Sequence, residues 1–579
     1  MSPAAFRPLC AIFILACFLL SSVRAQETDT TGAQQLPEIA PREIEIRGEL
    51  QLSFPTLERQ PLRGFATPPA VPSVPSTHTA YTESYKQELD ALPESLPAPE
   101  AVSQSVTTPR SPKQGLLEFG GGRYVSRFIK GRASFPITDD QRLSVEADYQ
   151  GTEGHSPFDG TDVSTPSDDI DARVQFESRH EAVTVLADVH GSAKQYTLYG
   201  RPTVVQNTAA TPPQRTGTSG GTTLQLRTHG SVDSDLRLSY DQTQYATELD
   251  PTDDATTDFS EGRLEVDGSA QFDVAGTPTR LDVSGARSSF GGDEPSNSAY
   301  SLQGGGSVWV LNTDRTSVRA GARVLTFDAP VDPTVPDAPS ATAEFIAPEG
   351  RAELTLSNGV TLYAQNTPHL QTRGLADLYA TNPYAEHAPS LRPTLFTTDA
   401  EAGLSASLGA VRLQATGGYR YAPFYRFFTT PPGASAGVFR TDYESASILH
   451  GGAELALQGI AGVEASAGVS IRDGSLVGSD TAIPYFSPVV ADAMLSVSFA
   501  DQQGLLQTTG RIESPRPVDA TESTEVDTYV SFDIEGSYQV TPLLDVVLRI
   551  QNIGLSAPER WARYPRPPAN FMGGVRIHW

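Results

Sequence analysis

The chain has little of what usually holds an exported protein together. Its two cysteines, Cys10 and Cys17, both lie near the N-terminus, so neither disulfide nor thiol chemistry is expected beyond that stretch. Lysine is almost missing: Lys86, Lys113, Lys130 and Lys194 are the only four, and every other cation is arginine. Positive charge as a whole is scarce, 42 Lys and Arg against 69 Asp and Glu for a net charge of -27, which excludes nucleic acid and acidic polymers as partners. Long apolar runs are missing too. The one candidate, Leu9–Leu20, has twelve residues, short of the roughly 20 that a spanning helix needs.

That run follows Arg7 and is followed by Val23-Arg24-Ala25, the charge, apolar core and small-residue cleavage site of a secretory signal. Residues 1–25 are expected to be removed, with Gln26 opening the mature chain. Lipid attachment at Cys17 fits less well, because the apolar run continues past it. Residues 26–114 are rich in Pro, Ser and Thr, as in FATPPAVPSVPSTHTA, and read as an extended periplasmic segment. One island interrupts it, EIEIRGELQLSF. Ile44, Ile46, Leu50, Leu52 and Phe54 alternate there with charged and polar residues, which predicts a single strand near 43–54. A lone strand must pair with something, in the lumen of a barrel or on a partner.

From Gly115 to Trp579 the pattern changes to period-two alternation. In VRLQATGGYRY, Val411, Leu413, Ala415, Tyr419 and Tyr421 face one way and Arg412, Gln414 and Arg420 the other. Tight turns fall at ITDDQ, SRHE, GSVDSD, AGTPT, NTDRT, SNG, LGA, QGIAG, ADQQ and VTP. Longer stretches alternate with them, including GTEGHSPFDGTDVSTPS, Lys194–Gly221, TELDPTDDATTD, APVDPTVPDAPSA and Thr367–Leu395. Short and long connections in alternation predict an all-β transmembrane antiparallel barrel of about 22 strands over 115–579, with short periplasmic turns and long outer loops. No other segment is expected to span a membrane.

The closing stretch FMGGVRIHW places Phe571, Val575, Ile577 and Trp579 on one face and Met572, Arg576 and His578 on the other. It resembles the C-terminal insertion signal of outer-membrane proteins, which is read by the barrel assembly machinery. Gly574, Ile577 and Trp579 match that signal, whereas Met572 stands where it usually has a polar residue. Trp579 is expected at an interfacial aromatic girdle facing lipid.

Two further stretches resemble the TonB-dependent receptors. RIQNIG followed by RYPRPPANFMGGVRI places Asn552, Tyr564, Pro565 and Pro567 where that family has its last outer loop and final strand. NPYAEHAPSLRPT, from Asn382 to Thr394, is similar to a stretch of a long outer loop. The resemblance implies solute uptake or a gated pore and, through the strand at 43–54, pairing with TonB or another periplasmic partner. The family's large globular plug has no room in 26–114, so its substrates are not carried over. A general porin and a non-transporting envelope scaffold are the alternatives.

Chemistry is not expected. GASAG, Gly433–Gly437, matches the nucleophile-elbow expression but lies in a Pro-Gly loop and not between a strand and a helix. His180 and His190 flank a short strand and read as solvated surface in preference to metal ligands. The acidic stretches DGTDVSTPSDDID and DPTDDATTD lack calcium-loop spacing. No cofactor and no metal follow from the sequence.

Overall fold

The computed structural model describes residues 114–579, except 159–160, 201–211, 251–254, 293–296, 333–338, 388, 431–436, 520–523 and 554–558. The signal, the Pro-rich segment and the strand expected near 43–54 lie outside the described residues.

Alternation becomes a closed antiparallel barrel of 22 strands. Each strand pairs with its sequence neighbours, and the first, Gly115–Gly122, pairs with the last, Asn570–His578, in a register running from Leu116↔His578 to Gly122↔Met572. Closure removes the open edges that a lipid environment cannot satisfy. All ten tight turns read from the sequence connect adjacent strands on one rim. In AGTPT, Ala275 and Gly276 both take positive φ, 51° and 82°, the backbone of the two-residue hairpin turn that suits strand twist.

The outer face of the wall is apolar. Phe119, Ile129, Val189, Leu238, Ile471 and Phe571 are all exposed on it. Near the turn rim it carries Phe135, Phe499, Tyr538 and Trp579, and nearer the loop rim Tyr240, Tyr300 and Tyr419. These two aromatic levels bracket the apolar band as at the interfaces of a membrane barrel.

The loop rim departs from expectation in one respect. Lys194–Thr197 and Gln214–Gly221 belong to strands, and TELDPTDDATTD is mostly the ends of Val232–Asp250 and Ala255–Val274, which have 19 and 20 residues. About 9–11 residues cross a membrane, so these strands continue outward as a wall whose inner face, with Thr243, Tyr245, Thr247 and Phe259, is buried against the outer loops. Backbone pairing persists there without any apolar alternation to reveal it.

Candidate functional site

Two places bring functional residues together: the closing seam and the outer mouth. At the seam, the three residues of the assembly signal take distinct positions. Gly574 lies opposite Gly120, and a Cβ on Gly574 would come within 2.6 Å of the Phe119 carbonyl oxygen and 2.8 Å of the Phe128 ring. Glycine therefore lets the Phe128 ring lie across the joint. Ile577 faces outward beside Leu117. Trp579 is 51% exposed, and its backbone N–H donates to the Gly115 carbonyl at 3.2 Å.

Behind the seam, on the lumen side, Glu118 is 1% exposed. It accepts from Arg576 Nε at 2.6 Å and from Arg549. Arg549 also donates to Glu535 at 3.0 Å and stacks over Phe128 at 4.5 Å. His578 lies 2.8 Å from Asp545. The final strand thus presents aromatic and aliphatic groups to lipid and its charges to an ion network inside.

The outer mouth is covered by loops that pack on one another. The segment 367–397 reaches inward as a lid, with a short hairpin of His369–Gln371 and Thr394–Phe396 and a one-face-buried helix, Leu375–Thr381. Leu375, Leu378 and Tyr379 are buried. Glu261, on the wall strand Ala255–Val274, holds the helix start: its Oε2 accepts the Leu375 N–H at 2.5 Å and its Oε1 accepts Ser288 Oγ–H at 2.6 Å. An acid at the first turn also suits the positive end of the helix.

Arg215, wholly buried, holds the other end. It donates to the carbonyls of Pro383 and Ala385 at 2.8 and 2.7 Å and to Thr247 at 2.9 Å, with its guanidinium 4.5 Å from the Tyr379 ring. A cation buried without carboxylate contact is tolerable because carbonyls and a ring face replace its water.

Above the lid sits an aromatic core drawn from loops far apart in the chain. The rings of Tyr384 and Tyr564 stack at 3.4 Å, Tyr199 meets Tyr564 at 4.9 Å, and Phe439 meets Tyr485 and Trp561 at 5.2 and 5.1 Å. A parallel bridge, Ala385↔Phe439, ties the lid to the residue just before the strand Arg440–Ile460. Burying a phenylalanine side chain such as Phe439 contributes roughly 2–3 kcal/mol, so the cap has a hydrophobic core of its own.

Burial also tunes the cap's titratable groups. Glu386 is pushed up to about 7 by desolvation, opposed by the Thr441 N–H that it accepts at 3.0 Å and by Arg440. His387 is lowered, first by desolvation and then by Arg215. The Tyr485 phenol is raised to about 12 by desolvation.

No family model and no curated protein matches the chain. Solved structures do. The copper transporter OprC matches at 14% identity and a TM-score of 0.58, covering 80% of each chain. The FrpB iron transporter from Neisseria meningitidis, F5-1 variant, matches at 11% and 0.62, covering 81% of this chain and 82% of that one. The siderophore receptor PirA from Acinetobacter baumannii matches at 12% and 0.59, covering 80% of each. The fold is the TonB-dependent receptor barrel.

In this TonB-dependent receptor fold, the two stretches that carried the sequence resemblance meet in space: Tyr384 of NPYAEHAPSLRPT stacks on Tyr564 of RYPRPPANFMGGVRI. Asn552 takes positive φ, 55°, and its amide donates to the Pro567 carbonyl at 3.0 Å, holding the last loop to the strand before it. Arg215, Glu261, Glu118, Phe439 and Trp561 gave no local motif, because each acts through a partner far away in the chain.

The remaining sequence candidates stand as follows. His190 lies mid-strand and not at a strand end, as the sequence reading had it. Half-buried, its two ring nitrogens are 3.0 Å from Asp188 and 2.8 Å from Asp241, so contacts to two carboxylates replace the expected solvation. His180 is exposed at a strand terminus beside Ser178. Asp168 and Asp169 pair with Arg127 and Lys194 at 3.2 Å each, which uses those carboxylates separately. Among the described residues no group of three or more His, Cys, Asp or Glu is arranged to hold a metal. Residues 433–436 of GASAG lie outside the described residues, and the Gly437 carbonyl accepts from Tyr564 OH.

Proposed function

We propose that the protein is an outer-membrane transport barrel whose outer mouth is kept shut by the packed lid, so that solute passes only when 367–397 is displaced. The observation that carries this reading is the clamping of the lid by Glu261 and Arg215 from the barrel wall. A general porin keeps an open mouth, and a purely structural barrel has no use for a helix held across it. The similar structures are a copper transporter, an iron transporter and a siderophore receptor, which supports transport without naming a solute for this chain.

Location in the outer membrane is supported by the signal-like N-terminus and by the two aromatic levels. The seam residues Gly574, Ile577 and Trp579 serve recognition by the assembly machinery and anchoring in lipid. The strand near 43–54 pairs with TonB or another periplasmic partner through its backbone edge, with Ile44, Ile46, Leu50, Leu52 and Phe54 seated in the partner's apolar pockets.

Single-channel conductance in planar bilayers tests the reading. The mature chain conducts little, and a variant with 373–392 replaced by a short Gly-Ser linker conducts strongly while keeping heat-modifiable migration on gels. Porin-like conductance of the unaltered chain would overturn it. Replacing Ile46 and Leu50 by Pro should abolish capture of TonB and leave conductance unchanged; a sharp rise would identify the strand as a plug.

A further inference from the structure

The joint between Gly115–Gly122 and Asn570–His578 differs from the other pairings of the barrel wall in one respect: its two strands are the first and the last, and no stretch of chain links them. Elsewhere a turn or loop joins the neighbours, and a tight turn helps to fix which residues oppose. At the seam the register has to come from the side chains that meet there. It matters for the whole molecule, because the stagger at which a barrel closes is linked to its strand tilt and diameter.

The observed register opposes Gly120 to Gly574 and Glu118 to Arg576. Gly115 and Trp579 exchange both backbone hydrogen bonds, each at 3.2 Å. By alternation, Gly120 and Gly574 then form a pair without mutual hydrogen bonds, the kind whose Cα atoms lie closest. Both face the lumen, since Phe119 and Phe571 are exposed on the outer face and successive residues alternate. The place between them is taken by Phe128, which stands opposite Gly120 on the next strand, Arg127–Thr138, and is buried. A Cβ on Gly120 would lie 2.6 Å from the Phe128 ring and one on Gly574 2.8 Å from it, so the ring reaches over the first strand to the last. The Arg549 guanidinium lies 4.5 Å from the same ring.

A slip of the last strand by one residue would turn Val575 and Ile577 from lipid into the lumen. Slips by two keep the faces, and only the lumen side can reject them. One such slip puts Met572 opposite Gly120, and the other puts Arg576 there. Either side chain would have to enter the place that the ring occupies, where a single Cβ is already too close. Of these three registers, only the observed one brings a residue without a side chain to the ring.

We propose that Phe128 is the gauge that selects the closing register: lying over Gly120, its ring admits only Gly574 of the last strand, so the chain itself decides how the barrel closes. The Glu118–Arg576 pair favours the same register by attraction, whereas the ring excludes the others by volume. The inference does not depend on the transport reading, and it gives Gly574 a role besides recognition by the assembly machinery.

Residues 26–579 contain no cysteine, so introduced pairs report the register. A disulfide needs Cβ atoms about 3.5–4.5 Å apart, a condition that opposed residues meet and diagonal ones, at roughly 7 Å, do not. Leu117→Cys with Ile577→Cys reads the observed register. Leu117→Cys with Val575→Cys and Phe119→Cys with Ile577→Cys read the two slips, and all these positions lie on the lipid face, away from the ring. The full mature chain is refolded from urea into lipid vesicles without assembly machinery and oxidised, and disulfides are scored in the species with heat-modifiable migration. With Phe128 in place, the first pair should cross-link about tenfold more than either other pair, or better, as expected for overpacking. Phe128→Ala should raise at least one slipped pair to a yield comparable with the first, and Phe128→Leu, which keeps an apolar side chain, should go part of the way. Glu118→Gln should leave the preference intact. Equal cross-linking with Phe128 present, an unchanged preference in both Phe128 variants, or a lost preference in Glu118→Gln would each overturn the proposal. Failure of both Phe128 variants to close would overturn it too, because the ring would then be needed for closure itself and not for its register.

Discussion

Replacing Glu118 by Ala removes the acid at the centre of the seam and leaves two arginines with what remains. Arg576 would keep Glu535 at 3.5 Å and Asp545 at 3.9 Å, and Arg549 would keep Glu535 at 3.0 Å. Glu535 is 40% exposed on its side chain, so it compensates only in part. Breaking a buried ion pair costs about 3–5 kcal/mol, and the residual partners place this variant at the lower end, about 3 kcal/mol. That corresponds to roughly a hundredfold in the folding equilibrium at 1.36 kcal/mol per decade. Urea unfolding of the barrel in lipid vesicles, followed by tryptophan fluorescence, measures it. Glu118→Gln keeps an acceptor and should cost about half as much. Removing Arg576 as well should recover part of the loss, because the residues are coupled and their effects do not add. A loss below about 1 kcal/mol, the value of an exposed surface pair, would refute the claim that the seam is held from inside.

Trp579→Asp is expected to impair assembly, because it puts a charge where an exposed indole meets lipid; unchanged heat-modifiable migration would count against this. A cysteine at His387, exposed in the outer loop, should react with an impermeant reagent on whole cells, and one at Asn358, in a tight turn, should not; Asp253, expected to label like His387, lies outside the described residues. Glu386 makes the cap pH-dependent: its carboxyl is raised from about 4.5 to about 7, so the closed cap binds more protons than the open one. This contribution is complete below pH 4.5 and is lost as pH rises through 7, so the protection of the 384–386 and 439–441 amides, the intrinsic exchange rate at each pH divided by the observed one, should be lower at pH 8 than at pH 6. Glu386→Gln should abolish the difference, with Arg440, Asp442 and Asp332 left in place as the charged groups around it.

What could be read from the sequence follows the solvent. Where one face meets lipid and the other water, as in Val411–Tyr421, alternation is imposed and the strand is visible. The turns were visible for the same reason, since each interrupts that pattern with Gly, Asp, Asn or Pro. Above the membrane Thr243, Gln244 and Thr247 are all polar and yet lie in a strand, and no periodicity marks them. The seam was half legible: Trp579 and Ile577 declare themselves, but Glu118 does not, because its partners stand at the other end of the chain. The cap was least legible. Tyr199, Tyr384, Phe439 and Trp561 are single aromatic residues in separate loops, and only the closed ring of strands brings them together.

The pairing of Glu118 with Arg576 spans 458 residues of sequence, and this has a consequence in time. The first barrel strand is made earliest, with a buried acid and an open backbone edge, and it can satisfy neither until twenty-one more strands are in place. Contacts of such separation form slowly, and the waiting edge is prone to wrong partners. The order of synthesis therefore makes the strand Asn570–His578 the event that closes the barrel, and until it arrives none of the other barrel strands can cover that edge of the first.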